Sequence, residues 1–356
     1  MRFIQLVIVA FLLVGCWDES LYKENTVVSL VGFEGVVGDI KGYYAYPEVV
    51  SGNTDVVIIE SKGKTPREVR MDAELKVQQS LDFSMLSALL IGEDTAKDGL
   101  DKYLDLYYRS PKNSISSLLI IVEGEVKDYL TASKMWGSEV GVYFKRMIES
   151  AEQYSIVSSY TIQSAGSVLY SEGMDLALPY VKLHKGEEKR PEVGGVALFS
   201  KDKFTGRLIE ADQSPYLGIL SGKHDENIRL SFLYEGKNPL SIRTLDVKKN
   251  WKLDGSNKID LNYEIELEID EYSEAGFRHS DLVKKIESFL NKEIEDKMKE
   301  IIKILQEEKS DVLGIGRFVR EKNYKMYDQE EWQDHFANLD INVNVKTKIL
   351  RVGLIH

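Results

Sequence analysis

The clearest pattern in the chain is a strict alternation. From Ile259 to Ile269 the residues Ile259, Leu261, Tyr263, Ile265, Leu267 and Ile269 are separated by Asp260, Asn262, Glu264, Glu266 and Glu268. Period two places every apolar side chain on one face of a strand and the carboxylates on the other. The carboxylate row is read as a solvated face, because calcium needs about six to eight oxygens wrapped around it and one strand supplies them in a line. The period then becomes helical. Leu282, Ile286, Phe289, Ile294, Ile301 and Leu305 keep near-helical spacing across residues 280–309, which predicts an amphipathic helix about 45 Å long, enough to cross a sheet. Gly314-Ile315-Gly316 ends it, and Leu339 to Leu354 contains another alternating strand through Ile341, Val343, Val345, Thr347 and Ile349.

Upstream, residues 26–34 predict a strand, Gly35 to Gly42 a turn, and Tyr43 to Tyr46 a second strand. A strand near Asp55 to Glu60 precedes Thr65-Pro66-Arg67-Glu68, a capping box with proline at the first helical position, so a helix is expected over about 66–80. Met85 to Ile91 predicts a strand, followed from Gly92-Glu93-Asp94 by a helix to about Tyr108; Ser117 to Val122 predicts a buried strand. Residues 125–170 are mostly helical in pattern, with Tyr143, Met147 and Ala151 at four-residue spacing. Leu178 to Val181 begins an extended segment, and the charged stretch Lys185 to Pro191 is the best linker candidate. Beyond it, Gly194 to Phe199 and Arg207 to Ile209 predict a hairpin around Asp202 to Gly206, and residues 227–271 are all strand in pattern.

These elements predict an α+β, multi-domain chain in which mixed or antiparallel sheets are each covered by helices, the long helix 280–309 lying in the C-terminal domain. The expected regions are 1–15, 16–190 and 195–356, the last with a possible division near 250 that would give three structural modules.

The N-terminus changes the picture most. Phe3 to Val14 is apolar apart from Gln5 and follows Arg2; about 12 residues are too few for the ~20 that span hydrocarbon, and the segment reads as a signal-peptide core. Leu13-Val14-Gly15-Cys16 follows, and Cys16 is the single cysteine among 356 residues. One cysteine excludes an internal disulfide and any thiolate zinc site. The tetrapeptide resembles the bacterial lipobox, which implies cleavage before Cys16 and a diacylglyceryl group, with N-acylation, on its thiol-bearing first mature residue. Two or more acyl chains anchor stably where one does not. There are 46 Lys plus Arg against 58 Asp plus Glu, a net charge of −12. Loss of Arg2 makes this −13, which argues against a nucleic-acid partner and against attachment through a basic patch on anionic lipid.

No catalytic constellation emerges. A Gly-x-Ser-x-Gly elbow is missing, the histidines at 184, 224, 279, 335 and 356 are scattered singly, and no pair has the His-x-x-x-His spacing that presents two ligands on one helical face. Gly314-x-Gly316 follows a helix rather than opening one and lacks a third glycine, so it fails as a nucleotide loop. We expect a non-enzyme with no cofactor and no metal.

Four groups of residues together resemble the Ger(x)C family, the lipoprotein C subunits of spore germinant receptors. They are Gly15-Cys16-Trp17-Asp18; Gly92-Glu93-Asp94 with Ala96, Gly99-Leu100 and Arg109; Gly195-Val196-Ala197-Leu198-Phe199 with Asp202-Lys203, Gly206 and Leu208; and Gln306, Asp311, Gly314-Ile315-Gly316 and Phe318 with Trp332, Phe336, Val343, Val345 and Gly353. Val312-Leu313 departs from the family pattern. The resemblance implies a non-enzymatic receptor subunit on the outer surface of the spore inner membrane, lipid-anchored at Cys16 and acting with membrane-embedded A and B subunits. The rival class is a lipid-anchored solute-binding protein of a transporter, which would show two similar α/β lobes around a ligand cleft. Gly206, Gly314 and Gly316 are expected at turns, Asp311 as a hydrogen-bonding residue at a helix end, and Trp332 with Phe336 as an apolar pair packed on the sheet.

Overall fold

The computed structural model describes residues 25–50, 53–110, 113–133, 140–184, 186, 189–222, 228–255, 257–272, 280–327 and 331–352. The fold is α+β, built on two large sheets. The first has eight strands in the order β10-β9-β8-β7-β6-β2-β3-β4. Its parallel centre is β2 (Leu30–Val36), β6 (Ala88–Gly92), β7 (Leu118–Val122) and β8 (Ala177–Leu183). Antiparallel strands flank it: β3 (Asp39–Val50) and β4 (Asn53–Gly63) on one side, β9 (Pro191–Ser200) and β10 (Lys203–Glu210) on the other. The central strands Ala-Leu-Leu-Ile-Gly and Leu-Leu-Ile-Ile-Val are buried at every position, as expected where helices cover both faces of a parallel sheet. On one face pack α1 (Pro66–Glu74), α2 (Glu93–Asp98), α3 (Asp101–Tyr108) and α6 (Ile162–Leu169); α4 (Val126–Ser133) and α5 (Val140–Gln153) pack on the other.

The second sheet has four strands in the order β11-β12-β13-β14. Its long antiparallel pair is β12 (Asn238–Asp254) and β13 (Lys258–Tyr272), with β11 (Arg229–Tyr234) at one edge. The alternating residues Ile259 to Ile269 are all buried on one side. From β13 the chain crosses through α8 (Ser280–Glu307) to β14 (Asp340–Val352), which returns parallel to β13. Helix α8 lays Ile286, Leu290, Ile294, Met298, Ile301, Ile302 and Leu305 on that face. The short helix α7 (Ser214–Ser221) lies between the sheets, and α9 (Ile315–Lys322) and α10 (Trp332–Ala337) close the chain between α8 and β14.

Several boundaries differ from expectation. The strand at 26–34 is two strands: β1 (Asn25–Val27) pairs in parallel with β5 (Ser80–Asp82), and the main sheet begins at Leu30. The Thr65 hydroxyl caps Glu68 N at 3.2 Å, but the Glu68 carboxylate turns to Lys64 N at 2.8 Å, so the box closes one residue early. Helix α1 stops at Glu74 because Leu75, 87% exposed, has no core to meet. The helix expected to run to Tyr108 is broken at Gly99, whose φ of 118° no helix allows. In α5 the buried stripe is Val140, Phe144, Ile148 and Ala151, one position off the Tyr143–Met147 spacing. Of the linker expected at Lys185 to Pro191, Lys185, Glu187 and Glu188 lie outside the described residues; the strands on either side belong to one sheet, Leu183 pairing with Pro191, and residues 191–210 complete the first sheet. Likewise β12 runs unbroken through residue 250. The two sheets differ in strand number and helix cover, and are not the pair of similar lobes that a solute-binding protein would show.

Candidate functional site

Cys16, Trp17 and Asp18 lie outside the described residues, as do His224, His279, Gly353 and His356. Many of the other motif residues lie at two places where the first sheet meets later parts of the chain, while Val343 and Val345 lie on β14. At the first, Gly99 at the α2–α3 break faces the turn between β9 and β10: Leu100 N donates to Asp202 O at 2.8 Å, and a Cβ on Gly99 would stand 2.5 Å from the Asp202 carboxylate. Glu93 of the same motif accepts from the Tyr180 hydroxyl at 2.5 Å. Arg109 is exposed and grips Asp105, four residues earlier, at 2.7 and 2.8 Å.

The second place is built around Asp311. Helix α8 closes with Ser310 N on Leu305 O at 2.9 Å and Lys309 N on Gln306 O at 3.1 Å, which puts Lys309 in the left-handed region at φ 52°. This tight reversal directs the Ser310 hydroxyl onto Phe199 O in β9 at 2.5 Å and buries Asp311 completely. The Asp311 carboxylate accepts from Ile315 N at 2.8 Å, Gly316 N at 2.6 Å and the Trp332 indole Nε1 at 3.0 Å. Two of these donors are free N–H groups of the first turn of α9, so the charge sits at the positive end of that helix. Gly314, at φ 76°, allows the turn. Gly316 is not a turn position but a point of close approach, since a Cβ there would stand 2.7 Å from both the Trp332 ring and Gly173 Cα.

A second carboxylate meets it from the other half of the chain. Asp175, on the connection between α6 and β8, accepts from Asp311 N at 2.8 Å and from Lys201 N at 2.8 Å, while Asp175 N donates to Asp311 O at 2.9 Å. Arg317 N donates to Gly173 O at 3.0 Å beside it. Burial pushes the Asp175 carboxyl up to about 6, against the pull of its N–H donors. Burial pushes Asp311 up to about 7, and the neighbouring Asp175 adds to the rise. Trp332 and Phe336 pack in the same core, and the Trp332 ring lies 5.3 Å from Tyr327. Gln306 ties the end of α8 to Phe336 O at 3.0 Å and Leu339 O at 2.8 Å.

The carboxylate oxygens at this joint are occupied by donors of the protein itself, an arrangement that fastens backbone segments together. Among the described residues no group of three or more His, Cys, Asp or Glu could hold a metal ion. His184 is exposed beside Glu192, and His335 packs its ring on Trp332 at 5.4 Å, so neither joins a catalytic cluster. Among the described residues no helix is long and apolar enough to cross a membrane. Sequence reasoning missed Asp175, since nothing in Ser-Glu-Gly-Met-Asp marks one acidic residue of 58 as buried.

The model of the spore germination protein N-terminal domain matches residues 18–183, and that of the spore germination B3/GerAC-like C-terminal domain matches residues 194–353. The chain belongs to the GerAC family of spore germination proteins. Among its GerAC relatives are spore germination protein GerQC of Bacillus cereus, 20% identical over 99% of each chain, and spore germination protein KC of Bacillus subtilis (strain 168), 23% identical over 96% of this chain and 92% of that one. The crystal structure of the GerBC protein superposes with a TM-score of 0.56 and 18% identity, covering 88% of this chain and 94% of that chain; it shares the fold. The motifs that carried the family resemblance are thus placed, within the described residues, mainly at the two joints of the GerAC fold.

Proposed function

We propose that this chain is a non-enzymatic, lipid-anchored subunit of a nutrient germinant receptor. It stands on the outer face of the spore inner membrane and acts as a scaffold for membrane-embedded A and B subunits. The observation that carries the reading is Leu13-Val14-Gly15-Cys16 placed immediately before the matched germination domain, which starts at residue 18. A signal core of about 12 apolar residues is a removable leader, and an acylated Cys16 supplies the anchor that such a short segment cannot. The cross-tied halves support a scaffold role, because a body fastened by buried hydrogen bonds presents fixed surfaces to its partners.

Replacing Cys16 with alanine tests the reading. The variant is expected to leave the membrane fraction and to impair germination with at least one nutrient. A Cys16→Ala protein that stays membrane-bound and supports full germination refutes the anchor. Purification of the intact lipoprotein from spore inner membranes is expected to bring both membrane-embedded subunits with it.

A further inference from the structure

A cavity of about 220 Å³ lies between the two sheets, room for about seven waters at ~30 Å³ each. Its apolar wall is Met174 from the connection before β8, Leu217 from α7, and Val312 and Leu313 beyond α8. Ser155 and Lys249 are among the polar residues that line it, with Ser158, Ser214 and Ser221.

Ser155 follows α5 at the position where a helix closure calls for glycine. Ile156 N reaches back to Ala151 O at 3.0 Å and Ser155 N to Glu152 O at 2.8 Å, and Ser155 is left-handed at φ 54°. Its side chain is buried, and its hydroxyl has no hydrogen-bond partner among the described residues. Glycine would remove both the backbone strain and the orphaned hydroxyl, so folding alone gives no reason for serine here. Lys249, on β12, is an exposed residue whose stem lies along Gly222 and whose ammonium donates to Ser221 O at 2.9 Å and sits 4.7 Å over the Trp251 ring. Partial desolvation holds its pKa below that of a free lysine, and no carboxylate pairs with it among the described residues. Both residues lean on α7. Ser155 packs against Gly218 and Lys249 against Gly222, about one helical turn apart.

We propose that this cavity binds a small aliphatic monocarboxylate, its carboxylate held between the Lys249 ammonium and the Ser155 hydroxyl and its hydrocarbon body against Met174, Leu217, Val312 and Leu313. A ligand there touches residues from both halves of the chain and fastens them further. The site stands independently of the membrane anchor.

The test is calorimetric titration of the purified full chain, in a non-ionic detergent, with 4-methylpentanoate and with its neutral amide. Saturable binding of the acid is expected, at least tenfold tighter than that of the amide, since a charge-assisted contact is lost in the latter. Lys249→Met is expected to erase that difference in a chain that still unfolds cooperatively. Ser155→Gly is expected to raise the thermal midpoint and to weaken the acid severalfold, a pairing that a purely structural serine would not give. No saturable heat up to about 10 mM acid, equal affinity for acid and amide, an unchanged ratio in Lys249→Met, or undiminished binding in Ser155→Gly overturns the proposal.

Discussion

The outer edge of β14 is closed by a helix rather than by a strand. Glu287, Asn291 and Glu295 are spaced four apart on α8 and accept from Ile349 N at 2.9 Å, Thr347 N at 2.6 Å and Val345 N at 3.3 Å. The geometry explains why three side chains can track three alternate residues. Four helical residues rise about 6 Å, and two residues of a parallel strand about 6.6 Å, so the mismatch over the whole ladder is about 1 Å, within the reach of Glu and Asn side chains. An exposed edge of this length would otherwise invite pairing with another chain.

Replacing Asn291 with leucine leaves the N–H of buried Thr347 without an acceptor, which is expected to cost about 1–3 kcal/mol. Glu287→Gln and Glu295→Gln keep a carbonyl oxygen in place and are expected to change stability by less than about 1 kcal/mol. Replacing all three by alanine removes the ladder, for an expected loss of about 2–5 kcal/mol together with faster sedimentation as free edges pair. Urea unfolding and sedimentation velocity read the two effects. The reasoning fails if Asn291→Leu is neutral, or if the triple variant unfolds and sediments as the parent does.

Asp311→Asn turns an amide N–H₂ toward the Gly316 and Trp332 donors, and urea unfolding at pH 7 is expected to show a loss of about 2–4 kcal/mol; an effect below 0.5 kcal/mol would exclude the carboxylate as the tie. Both buried carboxyls are raised above the unfolded value of 3.8, to about 6 and about 7. Between pH 4 and 7 the unfolded chain therefore releases protons that the folded chain keeps, and their contribution to stability falls as pH rises. Asp311→Asn should have a shallower fall over that window, and parallel curves for variant and parent would contradict the assignment. Gly316→Ala forces a methyl to within 2.7 Å of the indole and is expected to cost about 1–3 kcal/mol by overpacking, with a changed Trp332 environment in near-ultraviolet circular dichroism.

What was legible in the sequence was whatever writes its burial into a local pattern, the unbroken apolar runs of β6 and β7 as well as the one-sided stripes. Alternation from Ile259 to Ile269 and the stripe of residues 280–309 gave β13 and α8 to within a few residues, because one apolar face against one core writes its period directly into the chain. Features that depend on a distant partner left no such trace. Glu287, Asn291 and Glu295 look like any solvated helix face until β14 returns beside them. The charged stretch 185–191 looks like a linker because its composition does not reveal that the strands flanking it pair in one sheet. Gly316 looks like a turn residue in the sequence, since close approach to Trp332 and Gly173 cannot be told from backbone freedom when only the glycine is seen. The left-handed conformations of Ser155 and Lys309 lacked the glycine that usually signals them.

The matched domains meet near residues 183–194, yet the hydrogen bonds do not respect that division. Residues of the second domain finish the first sheet, where β9 contributes Ala197 and Phe199 and β10 contributes Phe204 to the first core. Residues of the first domain return the exchange, with Gly173 and Asp175 holding the segment from Asp311 to Arg317. A chain cut at residue 190 would lose both aromatic side chains, worth about 3–5 kcal/mol each when a buried Phe is truncated, and would bare the edge of β8. Such a fragment is expected to be insoluble or partly unfolded, whereas a chain cut after Glu210 regains β9 and β10 and is expected to show more native circular dichroism and slower proteolysis. If the fragment ending at 190 proves the more protected of the two, the interlock does not govern folding.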